Sequence, residues 1–292
     1  MNIYLDLLNS YPIMAISLAF IFALLIGSFL NVVIYRLPII MEREWQAQFD
    51  DINETAAQET QKPETFNLAV PASACPNCGH KIRWYENLPL ISYLLQGGKC
   101  NGCKTAISLR YPVVELLTAS LSAYLVYLYG PNEISLAIIL FTWALICLTL
   151  IDYDTQLLPD AITLPLLWLG LLVNSFGMFT SLESAVAGAM LGYLSLWSVF
   201  WLFKLVTGKE GMGYGDFKLL AALGAWAGAE QLPVIILFSS LVGAVVGILL
   251  IIFKRHDSQK PIPFGPYLAV AGWIALIWGR DITQYYLQWI SV

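Results

Sequence analysis

Four of the five cysteines stand as two pairs at metal-binding spacing. Cys75-Pro-Asn-Cys78 is followed, after 21 intervening residues, by Cys100-Asn-Gly-Cys103. A Cys-x-x-Cys turn aims two thiolates at one point, and two such turns complete a tetrahedral site for zinc. The separation is one residue beyond the usual range. Four sulfurs close the coordination shell, so the ion is expected to be structural rather than catalytic, and His80 is expected to stand aside. Two disulfides are the alternative, and a cytoplasmic location weighs against them because thiols stay reduced there. Gly79 and Gly102 are expected to relieve the two tight turns. Cys147 lies alone in an apolar run and is given no role.

The second chemistry is acidic. Ile151-Asp152-Tyr153-Asp154 and Pro159-Asp160 follow an apolar run, and Asp152 continues that run directly. It is expected at or just inside a membrane interface. Asp154 reads as solvated, and Asp160, after Pro159, as the N-cap of the next helix. Gly211, Gly213 and Gly215 alternate just before Asp216. They let the backbone pack closely or take positive φ, with Asp216 heading a helix. The plain alternative is a glycine-rich hairpin ending in an N-cap aspartate. Ionisable groups in membrane helices are costly and default to function. Two carboxylates brought together share one proton, so one acts as base on a water and the other as acid on a carbonyl oxygen. Glu115 is a third acid inside an apolar run. It is read as a substrate contact, a helix-packing contact or a paired structural acid.

These residues need elements to hold them, and the composition says what kind. The 292 residues are 58% apolar and 12% charged, and the mean hydropathy is +0.69. A soluble domain carries roughly a quarter charged residues, so most of this chain faces lipid. A net charge of −5 leaves no basic surface for nucleic acid, and the composition excludes disorder over nearly all of the chain. Eight apolar runs qualify as helices: Tyr11–Tyr35, Tyr111–Tyr129, Ile134–Ile151, Ala161–Leu182, Ser184–Phe203, a short run at Leu219–Ala229 extending from near Asp216 to Gln231, Gln231–Phe253 and Pro261–Gly279. Fourteen of the fifteen Lys and Arg residues fall on one set of helix ends, and Arg280 alone falls on the other. That side is expected to be cytoplasmic. The expectation is an all-α polytopic membrane protein of about eight transmembrane helices, with one cytoplasmic zinc-binding insertion after the first. Asp6 and the missing basic n-region mark the start as a retained helix rather than a cleaved signal. Within the insertion, Glu42 to Glu64 holds seven acids (Glu42, Glu44, Asp50, Asp51, Glu54, Glu59 and Glu64) against Arg43 and Lys62, and reads as a solvated helix or linker.

Gly213-Tyr214-Gly215-Asp216 resembles the GxGD signature of membrane aspartic proteases, and the pattern as a whole resembles the type IV prepilin leader peptidases, which are also N-methyltransferases. The likeness covers nearly the whole chain. It includes Gly27-Ser28-Phe29-Leu30-Asn31 through Arg36-Leu37-Pro38 in the first helix, the paired CxxC motifs, and Arg110-Tyr111-Pro112-Val113-Val114-Glu115. It also includes Asp152 through Leu157-Leu158-Pro159-Asp160, and Pro263-Phe264-Gly265-Pro266. The resemblance implies Asp152 and Asp216 as the catalytic pair. It implies cleavage of prepilins and pseudopilins after glycine at the cytoplasmic face of the bacterial inner membrane, and methylation of the new amine from S-adenosylmethionine. Residues that hold the methyl donor are not indicated. The polar surface of residues 36–110 is the expected region, between a first helix over 1–35 and a peptidase domain over 111–292. Asp154 and Glu210 are expected to attract the basic leader. The zinc insertion and the opening helix argue against another GxGD protease, of the presenilin or signal-peptide-peptidase kind. A proton-coupled transporter with membrane aspartates predicts acids near the bilayer midplane, and a non-enzymatic assembly factor leaves the paired aspartates unexplained.

Overall fold

The computed structural model describes residues 10–52, 65–253 and 262–290. Asp6, Glu54, Glu59, Glu64, Lys62, Lys254, Arg255, Lys260 and Pro261 lie outside the described residues, as do the side chains of Asp50 and Asp51. The described residues are nearly all helical, with no strand beyond two isolated bridges, Ala74 with Lys81 and Lys99 with Ala106. The chain divides into two compact units, Met1–Trp143 and Ala144–Val292.

In the first unit, α1 (Pro12–Ile52) packs along α3 (Arg110–Tyr129). Small residues let two helices approach closely. A Cβ on Gly27 would stand 2.7 Å from the Glu115 Cα. Asn31 Nδ2 adds hydrogen bonds to the carbonyls of Gly27 and Tyr111, each at 3.2 Å. Trp143 Nε1 donates to Ser122 Oγ at 3.0 Å. α1 runs past the expected end at Tyr35, through Pro38 to Ile52. Good helix formers over Met41–Gln48 (Glu42, Glu44, Gln46, Ala47) carry it on, so the start of the acidic stretch is helix. Between α1 and α3 lie a 3-10 turn (Trp84–Asn87), the short helix α2 (Ile91–Leu95) and the two cysteine turns. Arg36 is buried and donates to the carbonyls of Asn67 and Pro71 at 3.0 and 2.7 Å, fastening the segment back onto α1.

The unit boundary falls within α4 (Glu133–Thr155). The second unit adds α5 (Asp160–Ser175), α6 (Leu182–Thr207), α7 (Tyr214–Ala227), α8 (Leu232–Ile252) and α9 (Gly265–Ile290). Its centre is α7, which packs against α5, α6 and α9 and buries Asp216, Phe217 and every residue from Leu219 to Trp226. Glycines make the α6 crossing tight. A Cβ on Gly188 would strike the Gly224 backbone, and one on Gly192 would stand 2.7 Å from the Leu220 carbonyl oxygen. Asn174 holds the far end. Its Nδ2 donates to the Ala225 and Trp226 carbonyls at 2.8 and 3.0 Å, and its Oδ1 accepts from the amides of Phe179 and Thr180. That clamp, with Gly177 at φ 68°, ends α5 at Ser175 and cuts short the expected run to Leu182.

Each of the eight expected runs corresponds to a helix. Among the described residues, five segments are long and apolar enough to cross a membrane: Pro12–Phe49, Arg110–Tyr129, Glu133–Thr155, Leu182–Thr207 and Ala229–Leu249. α5, α7 and α9 are not among them. At 14 residues, α7 spans about 21 Å against the ~30 Å of a hydrocarbon core, and its neighbours surround it.

Candidate active site and metal centre

The aspartate site lies within the second unit. Asp152 sits in the last turn of α4, and Asp216 is the third residue of α7. Both are buried, and they are close enough for the charge of Asp152 to act on Asp216. Asp152 Oδ2 accepts the backbone N–H of Gly265 at 3.0 Å. Gly265 opens α9, so the carboxylate meets the positive end of that helix. A Cβ there would stand 2.6 Å from Asp152 Oδ2, so any side chain at this position displaces the carboxylate. Leu158 acts as the spacer between the two motifs. Its side chain lies against both Gly215 and Gly265, 2.7 and 3.3 Å from where their Cβ atoms would be. The start of α7 is held by an aromatic cluster, with Phe200 ring centroids 5.2 Å from Tyr214 and 5.6 Å from Phe217.

Several expectations change here. Asp160 is not an N-cap. Pro159 holds that position without a side-chain bond, and both Asp160 oxygens accept from Lys218 Nζ at 2.7 Å. The N-cap of α7 is Gly213 in extended backbone, and the Asp216 carboxylate, three residues on, accepts a hydrogen bond from the Gly213 backbone. Gly211, Gly213 and Gly215 are absent from the positive-φ positions. Gly211 and Gly215 instead admit Phe203 and Leu158 at close range. Glu210 is paired with Lys204 at 2.8 Å, which offsets the charge expected to draw a basic leader. Asp154 is exposed. Glu115 belongs to the first unit, where its Oε2 accepts the Leu90 N–H at 2.9 Å, so it is a structural acid holding the loop before α2. The use of the Pro263–Pro266 motif is visible only in the fold, where Gly265 meets Asp152. The amide of Gly265 is a backbone group 113 positions from its partner, and no side-chain pattern signals it.

The cysteine site lies within the first unit. The Sγ atoms of Cys75, Cys78, Cys100 and Cys103 all lie within 4.8 Å of one another, a cluster that can hold a metal ion. Cys75 to Cys103 and Cys78 to Cys100 are each 3.9 Å apart. Tetrahedral zinc with bonds of ~2.3 Å needs sulfurs about 3.8 Å apart, so the donor set fits. All five cysteines are free thiols. The two turns are built alike. Gly79 N–H donates to the Cys75 carbonyl and Lys104 N–H to the Cys100 carbonyl, each at 2.9 Å. Gly79 and Lys104 hold matching φ of 68° and 62°. Gly102 is therefore not the counterpart of Gly79; it makes room, since a Cβ there would meet Cys78 Sγ at 3.2 Å. The Thr105 hydroxyl, the Thr105 amide and Asn77 pull the Cys103 thiol down to about 5, which favours the thiolate a metal needs. His80 contributes no ligand, and its Nε2 faces Glu86 at 3.1 Å. Glu86 also accepts from the Arg83 amide at 2.9 Å and Asn101 Nδ2 at 2.7 Å, so it ties the first cysteine turn to the second.

Fold and site together define a polytopic helical protein with a four-cysteine cluster in its polar insertion and a buried aspartate pair at two helix ends. Residues 21–129 match the bacterial peptidase A24 N-terminal domain, and residues 139–248 match the type IV leader peptidase family. The chain is 58% identical to a prepilin leader peptidase/N-methyltransferase of Pseudomonas aeruginosa over 97% of both chains. It is 57% identical to one of Aeromonas salmonicida over 99% of this chain and 100% of that one. A third relative of the same description, from Burkholderia pseudomallei, is 47% identical over 94% of this chain and 88% of its own length. The chain belongs to the type IV leader peptidase family. No solved structure matches it.

Proposed function

We propose that the protein removes the basic leader of type IV prepilins and pseudopilins and then methylates the new N-terminal amine. The observation that carries the reading is the aspartate pair: two buried carboxylates on separate helices, close enough for the charge of one to act on the other, one oriented by the Gly265 amide. Asp152 and Asp216 share one proton. The ionised member takes a proton from water as its oxygen bonds to the scissile carbonyl carbon, and the protonated member gives its proton to the carbonyl oxygen. The resulting diol then collapses. A proton passes from a diol oxygen back to the carboxylate, the C–N bond breaks, and the other acid protonates the departing amine. The pair ends as it began. S-adenosylmethionine supplies an electrophilic methyl group to that amine.

Zinc held by Cys75, Cys78, Cys100 and Cys103 acts as a cross-link of the insertion, residues 36–110, which hosts methyl transfer; peptidase chemistry belongs to 111–292. The gathering of Lys and Arg at one set of helix ends supports a cytoplasmic side of the inner membrane for the insertion and the aspartates. Asp152 and Asp216 stand at helix ends, where water and a scissile bond beside an apolar substrate helix can meet. A midplane proton relay has no use for that position.

The test is to incubate the full-length protein in detergent with a prepilin, with and without S-adenosylmethionine, and read product masses. Asp152→Asn and Asp216→Asn are each expected to lower cleavage by at least ~10²-fold in folded protein, with the double variant no worse than either single. Near-wild-type cleavage by either single variant overturns the assignment.

A further inference from the structure

The short helix α2 turns its apolar face away from the insertion. Ile91, Leu94 and Leu95 follow the i, i+3, i+4 spacing and share one face; they are 57%, 76% and 82% exposed. The other face is engaged within the insertion, where Ser92 Oγ donates to the Leu88 carbonyl at 2.7 Å and Tyr93 OH to that of Ile107 at 3.4 Å. Trp84, 80% exposed, stands on the preceding 3-10 turn. That turn is tied to the end of α2 by Gln96 Nε2 on the Glu86 carbonyl at 3.3 Å. Burying a large apolar side chain is favourable, so four left outward on one polar segment mark a contact surface.

Glu115 sets the depth of this surface. Its hydrogen bond to the Leu90 N–H, at 2.9 Å, fixes the N-cap residue of α2 and supports Leu90 at φ 58°, a conformation unusual outside glycine. Glu115 stands five residues into α3, about 7.5 Å along its axis, and α3 is long and apolar enough to cross a bilayer. The start of α2 is therefore level with the first turns of a spanning helix. The surroundings at that level are headgroups and upper acyl chains, where tryptophan is favoured. Lys81, Arg83, Lys99, Lys104 and Arg110 belong to the same segment and complement anionic headgroups.

We propose that α2 and Trp84 form a bilayer-contact element: Ile91, Leu94, Leu95 and Trp84 enter the interfacial layer of anionic phospholipid and seat the four-cysteine segment on the membrane surface. The proposal rests on α3 crossing the bilayer and is independent of the peptidase reading. A photoreactive benzoylphenylalanine is placed singly at Leu94 and at Leu95 in the full-length protein, which is irradiated in its native membrane and analysed by mass. The spanning position Leu18 on α1, 52% exposed, serves as the lipid-facing reference. The expected result is a mass increase of one phospholipid at Leu94 and Leu95, as at Leu18. Lipid adducts at Leu18 alone overturn the proposal, and so do adducts with a prepilin or with a second copy of the chain. An independent measurement uses wild-type protein in vesicles of lipids brominated just below the headgroup. Trp84→Phe is expected to remove a share of the shallow quenching close to one of the 10 tryptophans, and unchanged quenching counts against the element.

Discussion

At the scale of residues, the site depends on groups that do no chemistry themselves. Gly265 orients Asp152 through its amide, and the missing side chain leaves room for the carboxylate. Gly265→Ala places a Cβ 2.6 Å from Asp152 Oδ2 and must push that oxygen aside. A displacement near 1 Å from productive geometry costs about 10²-fold in rate. That loss is expected in cleavage, with the helical circular dichroism retained, and wild-type cleavage by this variant removes Gly265 from the positioning set. Asp160 behaves differently. Its ion pair with Lys218 is half-exposed, and such pairs contribute ~0–1 kcal/mol. Asp160→Asn is therefore expected to shift the thermal midpoint little and cleavage by no more than a few-fold. Loss comparable to that of Asp152→Asn would mean that the wrong member of the cluster has been chosen.

At the scale of elements, α7 is the part that everything else holds. It carries Asp216, is short, and is enclosed on the α6 side by close glycine contacts along its length and by aromatic side chains at its start. Overpacking such a contact typically costs ~1–3 kcal/mol. Gly192→Val brings a Cβ to 2.7 Å from the Leu220 carbonyl oxygen, where the obstacle is backbone and has little room to yield. A lower thermal midpoint in detergent is expected, with cleavage falling alongside it because the helix that shifts is the one bearing Asp216. The equivalent change at Gly247, whose nearest neighbour is an Ile262 side-chain atom at 3.5 Å, should be far milder. Equal losses at the two positions would show that the α6 crossing is not tight.

At the scale of the whole molecule, the metal cluster belongs to one compact unit and the aspartate pair to the other. Removing the metal should act on the two activities unequally. The insertion has few long apolar runs, so an ion held by the four cysteines is expected to supply much of its local folding energy. Cys75→Ser and Cys100→Ser are expected to lose the ion, measured as zinc per chain, and to lower methyl transfer more than cleavage on the same preparation. Full zinc content in both variants refutes the ligand assignment; lost cleavage with surviving methylation of pre-cleaved pilin reverses the division of labour. The sequence by itself determined the membrane class, the helix runs, the four cysteines and the two aspartates. Each of these is written in local composition or spacing: apolar length, CxxC turns, an acid where lipid makes acids costly. Tertiary structure alone decided that Gly265 meets Asp152, that Asp160 pairs with Lys218, that Asn174 ends α5, and that Lys104 rather than Gly102 mirrors Gly79. The reason is physical. A backbone amide is the same at every residue, and an approach set by absent side chains leaves no letter in the sequence; only the packed chain shows which groups arrive together.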